Sequence, residues 1–162
     1  MARPSSKAPS EKVASAGGAV KVGFTGTQSE LTPPQVASLR ALLERLAPGE
    51  LHHGDCVGAD AAAHAIAKGI GLVIVVHPPS NPSKRAWCTG DIVRPPRAYL
   101  DRNRDLVAET DLLVACPWQQ EGEAVRSGIW ATVRHARRLA RRIYIVRPDG
   151  RVETDDDPPQ TS

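Results

Sequence analysis

The segment HHGDCVGAD, His52 to Asp60, places two glycines and two aspartates within seven residues. Gly54 and Gly58 flank a polar turn that opens a helix, where free N–H groups and the helix dipole favour an anion. Asp55 and Asp60 suit such a turn as helix caps or as acceptors for ribose hydroxyls. Capping accounts for one aspartate, not both. His52, His53, Cys56 and His64 carry metal-ligand atoms, but their spacing matches no zinc pattern, so no metal is expected.

Three other segments have comparable chemistry. Gly26-Thr27-Gln28-Ser29 offers a glycine that forms a tight turn or lets backbone approach a ligand, with hydroxyls able to meet phosphate. It is neither a G-x-G-x-x-G nor a Walker loop. In AYLDRNRDLVAE, helical spacing puts Tyr99, Leu100, Asn103, Leu106 and Val107 on one stripe. Asn103 is thus expected on the buried face, where an unpaired amide costs about 1–3 kcal/mol, so a backbone group or a ligand must partner it. Arg102 and Arg104 flank it, either as a solvated charge run or, for Arg102, as a cation beside a loop suited to an anion. In Arg126-Ser127-Gly128, a serine cap, free N–H groups and an arginine together suit phosphate, with Thr132 one turn further on. Glu121 and Glu123 are the nearby carboxylates and the catalytic candidates, as acid, base or ribose contacts. Trp118 and Trp130 line a pocket or pack.

Those segments need a scaffold, and the apolar pattern predicts one. Short apolar runs at 19–24, 50–53, 72–76, 112–116 and 143–146 read as strands. Helical spacing fills the gaps at about 33–46, 57–68, 98–109 and 128–140. The first helix is announced by Thr32 as N-cap, Pro33 and Pro34, and Gln35 completing a capping box. Alternating strands and helices predict an α/β, three-layer, Rossmann-like fold with a five-stranded parallel sheet. Ligands of such sheets bind beyond the carboxyl ends of the strands, which is where the polar segments fall. The Pro-rich loop 77–97 follows the third strand and carries Lys84, Arg85, Arg94, Arg97 and Trp87. A loop of this length is functional or mobile. An aromatic among cations can stack on a base while the cations meet phosphate, or Trp87 can simply pack the insertion.

The chain has 162 residues, so one domain is expected. Residues 1–18 and 149–162 are too polar to fold and read as tails, the second acidic, leaving a domain at 19–148. The net charge of +3 comes from sixteen arginines and five lysines against 18 acidic residues. Arg134, Arg137, Arg138, Arg141 and Arg142 cluster on the last helix and its end, as a solvated face or a nucleic-acid surface. With aromatics at 4 %, the core must be aliphatic. No apolar run approaches the length of a membrane span, no secretory signal is visible, and three cysteines without framework spacing indicate a reducing compartment, hence the cytoplasm. Ile129, Val133, Ala136 and Ala140 would serve a second copy as readily as the sheet, leaving a homodimer open.

Together, a strand ending in TGT, the GDCVGAD segment, Arg102-Asn103, and Ser127-Gly128 with Thr132 before a final strand resemble the SLOG superfamily. That group includes the Lonely Guy phosphoribohydrolases, DNA-processing protein A and small stand-alone nucleotide-binding proteins, to which this chain is most similar. The resemblance spans about residues 20–148 and implies a Rossmannoid sheet binding a nucleotide-derived ligand. It implies that Gly26, Thr27, Gly54, Asp55, Gly58, Asp60, Arg102, Asn103, Ser127 and Gly128 lie at that ligand, with Ser127 and Gly128 holding phosphate. In the phosphoribohydrolases a PGGxGTxxE motif supplies a glutamate for cleaving base from ribose phosphate. Here Ile129 stands for its threonine and Thr132 for that glutamate. The expectation is a sensor or ligand-binding module for a small phosphorylated ligand, with no required cofactor. Nucleotide hydrolysis and DNA binding are the alternatives.

Overall fold

The computed structural model describes residues 19–118 and 127–155. In chain order the elements are β1 (Lys21–Gly26), α1 (Pro33–Leu46), β2 (Glu50–His53), α2 (Ala59–Gly69), β3 (Val73–Val76), β4 (Ile92–Val93), α3 (Tyr99–Ala108), β5 (Leu112–Cys116), α4 (Gly128–Arg138), β6 (Arg142–Val146) and β7 (Val152–Asp155). The apolar runs become the strands expected of them because each can bury both faces. All five residues of β5 are buried, as are the last three of β3.

The strands form one sheet in the order β4-β3-β2-β1-β5-β6-β7. Every neighbouring pair is parallel except β6 and β7. Leu39, Leu42, Leu43 and Leu46 of α1 and Ala59, Ala63, Ile66 and Ala67 of α2 build one core with Phe24, Leu51 and Val114. Leu106 and Val107 of α3 pack with Ile129, Trp130, Val133 and Ala136 of α4 against Leu113 and Ile143 in a second. The layering is thus helix, sheet, helix. Trp130 and three of the residues left open for a partner, Ile129, Val133 and Ala136, belong to this second core, while Ala140, past the end of α4, is exposed.

Seven strands form, not five. β4 has only two residues, both exposed, inside the Pro-rich loop, too few to leave a pattern in the sequence. β7, VETD, lies in the stretch expected to be an acidic tail. Polar residues suit it because it is an edge strand running antiparallel to β6. Charge fastens it: Arg137 Nε donates to Asp155 at 2.6 Å, and the Arg147 guanidinium meets Glu153 through two nitrogens.

The capping box forms as expected, with Gln35 N donating to Thr32 Oγ1 and Thr32 N to Gln35 Oε1. Its second half has a tertiary use. The buried Gln35 amide donates from Nε2 to Pro117 O and Val146 O, tying α1 to the ends of β5 and β6. No helix among the described residues is long and apolar enough to cross a membrane.

The strand order places the site. From β1 the chain steps outward through β2, β3 and β4, then crosses back to lay β5 on the other side of β1. The order reverses between β1 and β5, and connections leave their carboxyl ends in opposite directions. That divergence leaves a crevice, the usual ligand position in such sheets.

Candidate functional site

The crevice is a cavity of about 320 Å³. β1 and its loop contribute Phe24 to Gln28, and the loop after β2 contributes Gly54, Cys56 and Asp60. α3 adds Tyr99, Arg102, Asn103 and Leu106. Trp118 lies past β5, and Ser127 to Ile129 and Thr132 come from the start of α4. Nine residues singled out in the sequence therefore meet in one place: Gly26, Thr27, Gly54, Asp60, Arg102, Asn103, Ser127, Gly128 and Thr132. Glu121, Glu123 and Arg126 lie outside the described residues.

Arg102, expected at the ligand, is the cation lining this cavity, and its burial sets aside the solvated alternative. It is 5 % exposed, whereas Leu100, assigned to the buried stripe, is 61 % exposed. The helix is turned because strand-end carbonyls offer the guanidinium partners that an apolar side chain could not satisfy. Arg102 Nη1 donates to Gly54 O and, at 2.8 Å, to His77 O. Nε donates to Asn103 Oδ1 at 2.7 Å, which supplies the partner the half-buried Asn103 required. Tyr99, one turn earlier, lays its ring 5.1 Å from the guanidinium carbon. Gly54 is glycine because of this arginine: a Cβ there would fall 2.5 Å from Nη1.

Two expected ligand contacts turn out to serve the scaffold. Asp55 is fully buried but does not line the cavity. Its carboxylate accepts from Arg85 Nε at 2.6 Å and from Cys88 N at 2.8 Å, fastening the loop 77–97. Gly58 also lies off the cavity. Its φ of +91° and a Cβ position 2.4 Å from the Gln28 carbonyl show that it admits the β1–α1 loop. No residue of 77–97 lines the cavity, and the loop's three arginines meet the protein's own carboxylates. Arg94 pairs with Glu109 and Arg97 with Asp105, while Arg85 also stacks 3.9 Å from the Trp87 ring. On α4's basic end, Arg137 is taken by Asp155, and Arg141 reaches carbonyls at the end of α3.

The remaining polar groups divide by role. Ser127 caps α4, its hydroxyl accepting from Trp130 N at 3.4 Å, and Gly128 is exposed at the helix start. Thr27 Oγ1 accepts from Ser29 N, which leaves its hydroxyl proton free to donate. Thr132 Oγ1 donates to Gly128 O at 2.8 Å, a neutral group bonded inside its own helix. Asp60 is the one cavity carboxylate among the described residues. Oδ2 accepts from Cys56 N at 3.1 Å, and buried Oδ1 has no partner among the described residues. Burial pushes its carboxyl up to about 6, opposed by the Cys56 N–H and the Arg102 charge. Cys56 and Tyr99 were missed in the sequence. Both were within reach, Cys56 by its place in the GDC turn and Tyr99 by lying three residues before Arg102 on one helix face.

The raised Asp60 carboxyl has a measurable consequence. The folded chain keeps this proton up to about pH 6, while the unfolded chain releases it near the ordinary 3.8. Folding takes up a proton between those values, so this group's contribution to stability falls as pH rises from about 4 to about 6 and then stays level. The stability of Asp60→Asn relative to the parent should therefore rise by about 2–3 kcal/mol across that window. Urea unfolding at several pH values checks this; a pH-independent difference would contradict the buried, protonated carboxyl.

No family profile matches the sequence, nor does any curated protein. Solved structures do match in fold. The molybdenum cofactor binding protein from the phototrophic bacterium Rippkaea orientalis superposes with a TM-score of 0.61 at 20 % identity, over 80 % of this chain and 77 % of that one. TM1055, a structural-genomics target, superposes with a TM-score of 0.55 at 14 % identity, over 76 % and 72 %. These likenesses establish a Rossmann-like α/β fold.

Proposed function

We propose that this chain binds a small phosphorylated ligand of nucleotide type in the cavity between β1 and β5, as a sensor or ligand-binding module. One observation carries the reading: a single cavity of about 320 Å³ is lined by a guanidinium, hydroxyls, a helix start, a carboxylate and aromatic rings. The Arg102 guanidinium, the Thr27 hydroxyl and the start of α4 at Ser127 and Gly128 suit a phosphate. Asp60, with an unpartnered oxygen, suits a donor such as a ribose hydroxyl. The exposed Trp118 and the Tyr99 ring offer flat apolar surface for a heterocycle. The resemblance to the SLOG superfamily supports the same ligand class. So does the fold likeness to a protein described as binding the molybdenum cofactor.

Hydrolysis is less well supported. Thr132, where the phosphoribohydrolases carry their glutamate, is neutral and spends its proton on Gly128 O. A thermal-shift series with AMP, GMP, adenosine and inorganic phosphate tests the reading. At a concentration of about a hundred times Kd, a bound nucleotide adds about 2.7 kcal/mol. That corresponds to a rise in Tm of roughly 5–10 °C for a domain of this size. Adenosine alone should shift Tm much less. No shift with any nucleotide, and no phosphorylated molecule co-purifying, would overturn the reading. Free base released from AMP would make the site hydrolytic instead.

A further inference from the structure

We infer that His52, His77 and Glu109 form a site for one divalent cation of zinc type, separate from the ligand cavity. The sequence HH in β2 sends its two side chains to opposite faces of the sheet, as alternation requires. His53 faces α2, where His64 waits. His52 faces α3, and His77, just past β3, joins it on that side. None of the three proposed ligands lines the cavity.

The geometry is close to that of a loaded site. His52 Nδ1 and His77 Nε2 are 2.9 Å apart, and Glu109 Oε1 is 3.9 Å from each. Ligands bound at zinc distances and tetrahedral angles lie about 3.3 Å apart. Loading therefore needs the two nitrogens to part by about half an ångström, and Glu109 to close by about as much. Both histidines are essentially buried, while Glu109 is 35 % exposed and so leaves a way in.

Hydrogen bonding supplies a second and independent sign. His52 Nε2 is 2.8 Å from Glu50 Oε1. A carboxylate only accepts, so the ring proton sits on Nε2 and the Nδ1 lone pair faces His77. A carboxylate behind a histidine whose other nitrogen faces outward is the usual support of a metal ligand. His77 needs only to carry its proton on Nδ1 rather than Nε2, so loading releases none. Glu109 Oε1 is met at 2.8 Å by Arg94 Nη2. A cation would displace that guanidinium from Glu109.

The other grouping, His53, His64 and Cys88, lacks this arrangement. Asp55 N donates to His53 Nδ1 at 2.9 Å, so neutral His53 carries its proton on Nε2 and points it at His64 Nδ1, 3.0 Å away. His53 Nε2 therefore has no lone pair to offer.

The test uses the full chain, first stripped with a chelator. Zn²⁺ titrated calorimetrically should bind one per chain, and Co²⁺ should give the visible bands of a tetrahedral N/O site. His77→Ala and Glu109→Gln should each abolish the Co²⁺ bands or weaken Zn²⁺ binding at least about tenfold. Glu50→Gln should weaken it about tenfold through the supporting hydrogen bond. Arg94→Ala should tighten it severalfold by freeing Glu109, and His64→Ala should leave it within twofold. His52 variants are avoided because that ring is buried; Glu109 and Arg94, partly exposed, keep the test independent of folding. Absence of Zn²⁺ binding, or binding indifferent to both His77→Ala and Glu109→Gln, would overturn the site.

Discussion

Replacing Arg102 with alanine is expected to lower the stability of the chain by about 3–5 kcal/mol, and Tm by roughly 10–15 °C. The argument rests on what the guanidinium leaves behind. Gly54 O and His77 O, at the ends of β2 and β3, both accept from Nη1. The site is 5 % exposed, so water cannot easily replace the donor. Each buried acceptor left alone costs about 1–3 kcal/mol, and the void beneath Tyr99 adds to that. Nucleotide-dependent stabilisation should vanish with it, because the cavity loses its central cation. Arg102→Lys keeps the charge but not the fork, and should recover part of the stability and little of the binding. Thermal and urea unfolding, with and without AMP, check both. A loss below about 1 kcal/mol would show that the strand-end carbonyls find other donors.

Asp55→Ala is expected to cost about 3 kcal/mol, the range for breaking a buried ion pair from one side. Its carboxylate is fully buried, while Arg85 keeps 15 % of its side chain exposed and can turn partly to water. The damage should be local first. Cys88 N loses its acceptor and Arg85 its anchor, so hydrogen exchange should quicken at Cys88 and across the loop 77–97. Asp55→Asn should weaken the loop less and leave AMP affinity nearly unchanged, since Asp55 does not line the cavity. The ribose role considered for Asp55 predicts the reverse, a clear loss of affinity with little effect on the loop. Measuring the Kd and the exchange rates of one variant separates the two.

The pair shows where sequence and structure parted. GDCVGAD was identified as a ligand loop, and its Gly54, Cys56 and Asp60 do line the cavity. Nothing in its spacing distinguishes the aspartate that turns outward to hold a loop from the one that turns inward. The backbone decides: Asp55 sits at φ +60°, aiming its carboxylate at Arg85, while Asp60 lies in the first turn of α2. Arg102 is a similar case. Helical spacing leaves Arg102 off the apolar stripe, where solvent is the default for a charge, and only the resemblance puts it at a ligand. What overrides the default is a pair of carbonyls brought from 48 and 25 residues away.

Local chemistry was legible. The capping box of Thr32 and Gln35, the buried β-branched strands and the alternation of strand and helix depend on neighbours a few residues apart, so the sequence alone determined the three-layer α/β plan and placed the polar segments at strand ends. Short or polar edge strands were not legible, since β4 has two residues and β7 relies on cross-strand charge rather than apolar alternation. The partners of the charges were decided only in three dimensions. Whether an arginine or carboxylate faces a cavity, a carbonyl or another charge depends on which distant backbone the fold brings within about 3 Å. No spacing along one chain encodes that distance.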